Sequence, residues 1–190
     1  EISIEKGMPF GEAYNTRFYV GGVPIFYLPY FAFPITTERQ TGFLFPEFGS
    51  SSKTGLEWEQ PFYWNIAPNI DATLSTRLMN NRGWQLKTEF RYLFSNHTGE
   101  LQLEYLPSDN GRTDDKERYF YRYTHRGQLS ENWSIAADIS DISDNNYIID
   151  LGSDYYNQAD THLYRQAGVN YISDSLDFSI FVRDFTTIGV

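Results

Sequence analysis

The stretch that decides the fold runs from Val23 to Asp71: VPIFYLPYFAFPITTERQTGFLFPEFGSSSKTGLEWEQPFYWNIAPNID. It carries six of the chain's eight prolines, and apolar side chains dominate it. Yet no part of it reads as helix. Pro24, Pro29 and Pro34 recur every five residues, and each would remove a backbone donor and collide with the preceding helical turn. Proline is also confined to the edges and bulges of sheets. The stretch is therefore extended chain with incomplete ladders. Pro46 and Pro61 lie in two neighbouring strand-like runs, which predicts a sheet edge built to open.

Toward the N-terminus, residues 2–6 and 12–20 alternate apolar and polar as short strands. Gly21-Gly22 is a turn signal, and Val23 to Tyr30 follows as a further strand. Thr36 to Gly42 is polar and reads as a connector, which sets a domain boundary between residues 42 and 43.

Toward the C-terminus, the chain becomes a series of alternating runs of about ten residues. Leu56, Trp58, Phe62, Trp64 and Ile66 share parity, with the register open to disturbance near Pro61. Ile70 to Leu78, Trp84 to Phe94, Leu101 to Tyr105, Glu117 to His125, Trp133 to Ile139, Leu163 to Tyr171 and Leu176 to Val182 follow. Residues 80–83, 95–99 and 127–131 are short turns. Residues 107–116 and 141–158 are long polar loops, the second with an apolar interlude at Ile148-Ile149. About nine runs follow residue 42 with no helical interlude. Short turns alternating with long loops fit an up-and-down transmembrane barrel, whose tilted strands take about 9–11 residues. Nine is odd, so the reading is part of a barrel. From periodicity alone, a soluble β-sandwich or solenoid stays open, because its inward faces alternate in the same way.

Composition narrows the function. A net charge of −10 argues against a nucleic-acid-binding surface. No apolar run approaches the ~20 residues of a transmembrane helix. There is no cysteine, hence no disulfide or thiolate metal site within the chain. His97, His125 and His162 share no ligand spacing, and no nucleophile elbow or P-loop occurs. No enzyme and no cofactor is expected. Glu1 begins the chain without a charged or apolar leader, so it starts after any signal peptide or is a fragment.

Five ordered strings add a resemblance: VPIFYLPYFAFPI at 23–35, R-x-T-G-F-L-F-P-E-F-G at 39–49, PFYWNIAPNIDAT at 61–73, R-G-W-Q-L-x-T-E-F-R-Y-L-F at 82–94 and EYLPSD at 104–109. Together they resemble the LptD family of Gram-negative outer membranes, the LPS-assembly or organic solvent tolerance proteins. The resemblance implies a periplasmic β-jellyroll joined to a very large barrel. Residues 1–42 would be the last jellyroll strands, and residues 43–190 the first barrel strands. It implies delivery of lipopolysaccharide to the outer leaflet through a lateral gate between the first and last barrel strands. It also implies LptE as a plug lipoprotein and LptA as a periplasmic jellyroll bridge. The prolines that weaken the family's seam match Pro46 and Pro61. The family's disulfides would lie outside this chain.

Several residues carry the functional expectations. Val23, Ile25, Phe26, Leu28, Phe31, Phe33 and Ile35 are candidates for the outlet of an acyl-chain trough, or for jellyroll core. Trp58, Trp64, Trp84 and Trp133 suit interfacial girdles, with ordinary packing as the competitor. The acidic residues at 138–160 could hold divalent cations, but their spacing matches no EF-hand, and a solvated loop is expected. Asp71, Glu89, Glu104 and Asp138 would face the lumen and need screening by cations or water before an anion could pass. A passive porin and a soluble β-sandwich binding module remain the alternatives.

Overall fold

A computed structural model of the chain describes residues 2–4, 10–34, 39–113, 117–154 and 162–188. The chain divides into two compact units, Glu1–Gln40 and Thr41–Val190.

The first unit is a three-stranded antiparallel sheet in the order β1 (Ile2–Ile4), β2 (Phe10–Val20), β3 (Val23–Pro34). The Gly21-Gly22 turn expected from the sequence joins β2 to β3. Both glycines have positive φ, 59° and 84°, which a tight hairpin needs and side chains resist. The third strand runs past Tyr30 to Pro34, further than the alternation suggested. Its prolines are tolerated because β3 is an edge of this sheet. The ladder passes from Tyr14↔Tyr30 to Thr16↔Leu28, so Pro29 falls in a gap opposite Asn15, whose φ is +52°.

The second unit is one antiparallel sheet of ten strands. Its edge strand comes in two pieces, β4 (Gly42–Phe43) and β5 (Glu47–Ser51). Then follow β6 (Gly55–Ala67), β7 (Ile70–Met79), β8 (Gly83–Leu93), β9 (His97–Leu106), β10 (Arg118–Gln128), β11 (Trp133–Ile142), β12 (His162–Ile172) and β13 (Asp177–Thr187). Each pairs with its sequence neighbour, so the sheet is a simple meander. Residues 68–69, 94–96, 129–132 and 173–176 turn the chain at one end; the turns at 52–54 and 80–82, the end of β9 with the start of β10, and the end of β11 with the start of β12 lie at the other. The long connections therefore share one end.

Period-two alternation gives the sheet two faces. One is apolar and uncovered, with Leu74, Leu78, Leu86, Leu101, Leu103 and Ile180 all exposed. The other carries Glu57, Asp71, Arg77, Gln85, Lys87, Glu104, Arg122 and Asp138. The described residues of this unit form no second sheet.

The expectation of a strand series without helical interlude needs correcting. A one-turn helix, α1 (Tyr147–Leu151), sits within the supposed polar loop, and the strand β11 extends to Ile142. Tyr147, Ile148 and Leu151 are buried with Met79, Leu106, Phe120, Ile142, Leu163 and Ile188. Burying each such side chain is worth about 1.5–3 kcal/mol. This small core lies at the long-loop end of the sheet.

Candidate functional site: a broken edge and a charged face

The edge strand fails where the prolines are. The first piece pairs Gly42↔Tyr63 and Phe43↔Phe62, and the second pairs Glu47↔Glu59 through Ser51↔Gly55. Between them, residues 44–46 face only residues 60–61 of β6. One extra residue on the edge side is the count of a β-bulge, which bends a strand and leaves a residue unpaired. Pro46 thus lies between β4 and β5 rather than inside a strand, a correction to the strand-like run expected there. Pro61 lies inside β6 directly across the gap.

Pro61 leaves its other ladder whole. The pairing of β6 with β7 keeps one register from Glu57↔Met79 to Asn65↔Asp71, with Pro61↔Ser75 in the middle. The shift in that ladder comes later, between Asn65 and Ala67. The disturbance expected near Pro61 therefore belongs to the edge pairing alone. The carbonyl of Pro61 accepts from the Leu44 amide at 3.0 Å, so its missing donor points at the edge. Side chains also bridge the gap. Gln60 Nε2 donates to Leu44 O at 2.9 Å and Pro61 O at 3.1 Å, and Phe43 meets Phe62 edge-on with ring centroids 5.1 Å apart.

The polar face is a lattice of ion pairs across strands. Arg77 holds Glu57 at 2.6 Å, Arg91 holds Asp71 at 2.8 Å, Arg122 holds Asp138 at 2.8 Å and Lys87 holds Glu59 at 3.0 Å. Glu89 contacts Arg91 at 3.2 Å. Glu104 accepts from Tyr147 at 2.9 Å and Ser153 at 2.8 Å. Asp71, Glu89, Glu104 and Asp138, the carboxylates expected to need screening, thus each meet an arginine or a hydroxyl of the chain itself.

Residues 143–154 fold onto this face. Asp144 and Asp150 both reach Arg118, at 2.9 and 3.1 Å. Asp154 pairs with Lys87, and Arg77 donates to the Leu151 carbonyl at 3.1 Å. Lys53 donates to the Ile149 carbonyl at 2.7 Å. The Tyr147 hydroxyl takes a bond from Gln85 at 2.8 Å, and the Arg118 guanidinium stacks over its ring at 5.5 Å. Burial first, then Glu104, holds the Tyr147 phenol well above the ordinary tyrosine range. The solvated loop expected here is a clasp, because its carboxylates meet cations from distant strands. Asp109 is likewise no exposed loop residue. It is buried between Arg118 at 2.7 Å and Arg82 at 3.2 Å. Burial alone would raise its carboxyl, but Arg118, the Gly111 amide and Arg82 outweigh that and hold it below the usual carboxylate range. The described residues contain no cluster of side chains able to hold a metal ion.

The four tryptophans all lie partly exposed on the apolar side. Trp58 and Trp84 share one level through Leu78, near the long-loop end. Trp64 and Trp133 lie near the short-turn end, Trp133 pairing with Tyr171 at 5.0 Å between ring centroids. Among the trough candidates, Val23 is exposed at the start of β3. Ile25, Phe26, Leu28, Phe31 and Phe33 belong to the same strand, but their side chains lie outside the described residues, as does Ile35 altogether.

Gln60 and the clasp escaped the sequence reading. Gln60 had one signal: it is the polar member of the otherwise apolar row Leu56, Trp58, Phe62, Trp64, Ile66. For α1, Tyr147, Ile148 and Leu151 follow helical spacing, too briefly to stand out.

No helix among the described residues is long and apolar enough to cross a membrane, which says nothing of strands. The model of the family described as LPS transport system D, LptD, matches residues 116–189. The LPS-assembly protein LptD of Pseudoalteromonas atlantica is 53% identical over 99% of this chain and 25% of its own length. That of Idiomarina loihiensis is 44% identical over 99% of this chain and 25% of its own length. That of Pseudoalteromonas translucida is 42% identical over 100% of this chain and 25% of its own length. The chain thus spans about a quarter of the length of the curated relatives it matches.

Proposed function

We propose that this chain, which along its whole length is homologous to the LPS-assembly protein LptD, contributes the opening edge of a translocon that releases lipopolysaccharide sideways into the outer leaflet of the outer membrane. On this reading the first unit is the end of a periplasmic jellyroll and the second is the first wall of the barrel. The exposed apolar face meets lipid, and the ion-paired face lines the chamber that the sugar crosses. Trp58 and Trp84 mark one membrane interface, Trp64 and Trp133 the other.

The observation that carries the reading is the gap between β4 and β5, facing Pro61. An amphiphile leaving a barrel needs its head in a wet lumen and its acyl chains in lipid at once, so the wall must part. A bulged strand with a missing donor parts at lower cost. Each absent hydrogen bond is worth about 0.5–1.5 kcal/mol net in water and more in hydrocarbon, where nothing substitutes. A passive porin has the opposite requirement, a fully bonded wall. The acyl chains arrive along the jellyroll strand that holds Val23, Ile25, Phe26, Leu28, Phe31 and Phe33, with Ile35 beyond it. LptA delivers them, and LptE plugs the finished barrel.

The test uses the full-length protein. Replacing Pro46 and Pro61 together by alanine restores both donors. Pulse-labelled lipopolysaccharide should then reach the cell surface several-fold more slowly, at unchanged levels of folded protein. Arrival at the normal rate overturns the gate.

A further inference from the structure

Gln60 is out of place on its face. Its neighbours along the outward row of β6 are Leu56, Trp58, Phe62, Trp64 and Ile66. A carboxamide among them is costly in lipid unless it is hydrogen-bonded. The geometry supplies a reason for it. Leu44 donates its amide to the Pro61 carbonyl at 3.0 Å. In an unbroken antiparallel pair the same two residues would exchange a second bond, from the amide of residue 61 to the carbonyl of Leu44. Proline has no such amide. The Gln60 side chain, one residue away, fills the place, reaching Leu44 O at 2.9 Å and Pro61 O at 3.1 Å.

We propose that Gln60 is the latch of the edge strand: a positioning residue whose side chain replaces the ladder bond that Pro61 deletes, and so sets how readily residues 44–46 leave β6 at the proposed opening edge. This rests on the gate reading above. A side-chain donor differs from a backbone donor in one respect that suits a gate. It releases by rotating about its own bonds, while the β6 backbone stays fixed in its ladder with β7. Parting residues 44–46 then costs the Gln60 bridge and the Leu44–Pro61 bond, and leaves the second strand in register.

The experiment is hydrogen exchange at the Leu44 amide in the full-length protein in phospholipid vesicles, since that amide is released when the strands part. Gln60→Leu should raise its exchange rate about 2- to 12-fold, the equivalent of one net hydrogen bond. Gln60→Glu should raise it further, because a carboxylate would face two carbonyl oxygens. In a Pro61→Ala background, where the backbone donor returns, Gln60→Leu should have little effect. Amides of the β6–β7 ladder report whether the fold is intact and should not change. An unchanged Leu44 rate in Gln60→Leu, or an equal rise in both backgrounds, overturns the latch. Lipopolysaccharide delivery in the same variants separates the two ideas. A faster exchange with unaltered delivery keeps the latch and removes the gate.

Discussion

The Asp109 carboxylate lies 2.7 Å from the Arg118 guanidinium, and neither side chain is more than 1% exposed. The pair joins the connection at Asp109 to β10. Asp109 is held below the ordinary carboxylate range, so its contribution to stability is complete above the unfolded value of about 3.9 and is lost as pH falls through the lower folded value. Acid should therefore loosen this connection before the sheet itself. The Gly111 amide, which donates to Asp109 Oδ1 at 2.9 Å, reports it. Its exchange should rise steeply below about pH 4 in the native protein, while Asp109→Asn should show no such step. An identical acid step in both would show that another carboxylate governs it.

Arg118 should be the least replaceable residue of the clasp. It bonds Asp109, Asp144 and Asp150 and lies against the Tyr147 ring. Arg118→Met would leave Asp109 buried with Arg82 as its remaining ion-pair partner. Breaking a buried pair from one side costs about 3–5 kcal/mol. Adding Asp109→Leu should recover part of the loss, because the stranded charge is then gone. Native-state exchange of the 143–152 amides measures both. A double variant as loose as the single one would show that the charge was not the problem.

Tyr147 divides into a ring and a hydroxyl. Tyr147→Phe keeps the buried ring but removes a donor from Glu104 and an acceptor from Gln85. Leaving such groups short costs about 1–3 kcal/mol. Tyr147→Ala also opens a cavity and should cost about 3–5 kcal/mol, as for a buried aromatic. Protease cleavage within residues 143–154 should follow that order. Equal cleavage in both variants would mean that the ring contributes nothing beyond its hydroxyl.

The strand meander was legible because alternation and turn chemistry are local. Ile70 to Leu78 and Trp84 to Leu93 declare their two faces without reference to anything else in the chain. The weak edge was legible because proline acts through its own missing donor. The bulge was not, since one extra residue at 44–46 exists only relative to β6. The clasp was hidden for the same reason on a larger scale. Asp144 and Asp150 read as solvated acids until Arg118, 26 and 32 positions earlier, is brought beneath them. Asp71 with Arg91 is the intermediate case: register places them opposite each other, and register follows from the short turn at 80–82.

The two faces of β7 give the sharpest test of what surrounds the sheet. Leu74 sits mid-strand on the apolar side and is 41% exposed. Thr73 points to the polar side, and its partner across the ladder is Glu89. If water covered the outer face, Leu74→Arg would be nearly neutral, since the site already accommodates an exposed side chain. If lipid covers it, an arginine at mid-depth costs about 2–4 kcal/mol. Thr73→Arg should be tolerated in either case, because Glu89 lies within its reach and the face is already laced with arginines. The fraction of full-length protein that reaches a heat-resistant folded form in vesicles should fall sharply for Leu74→Arg and little for Thr73→Arg. Equal yields would place the apolar face against water or a protein partner rather than a bilayer. The translocon reading would then lose its wall.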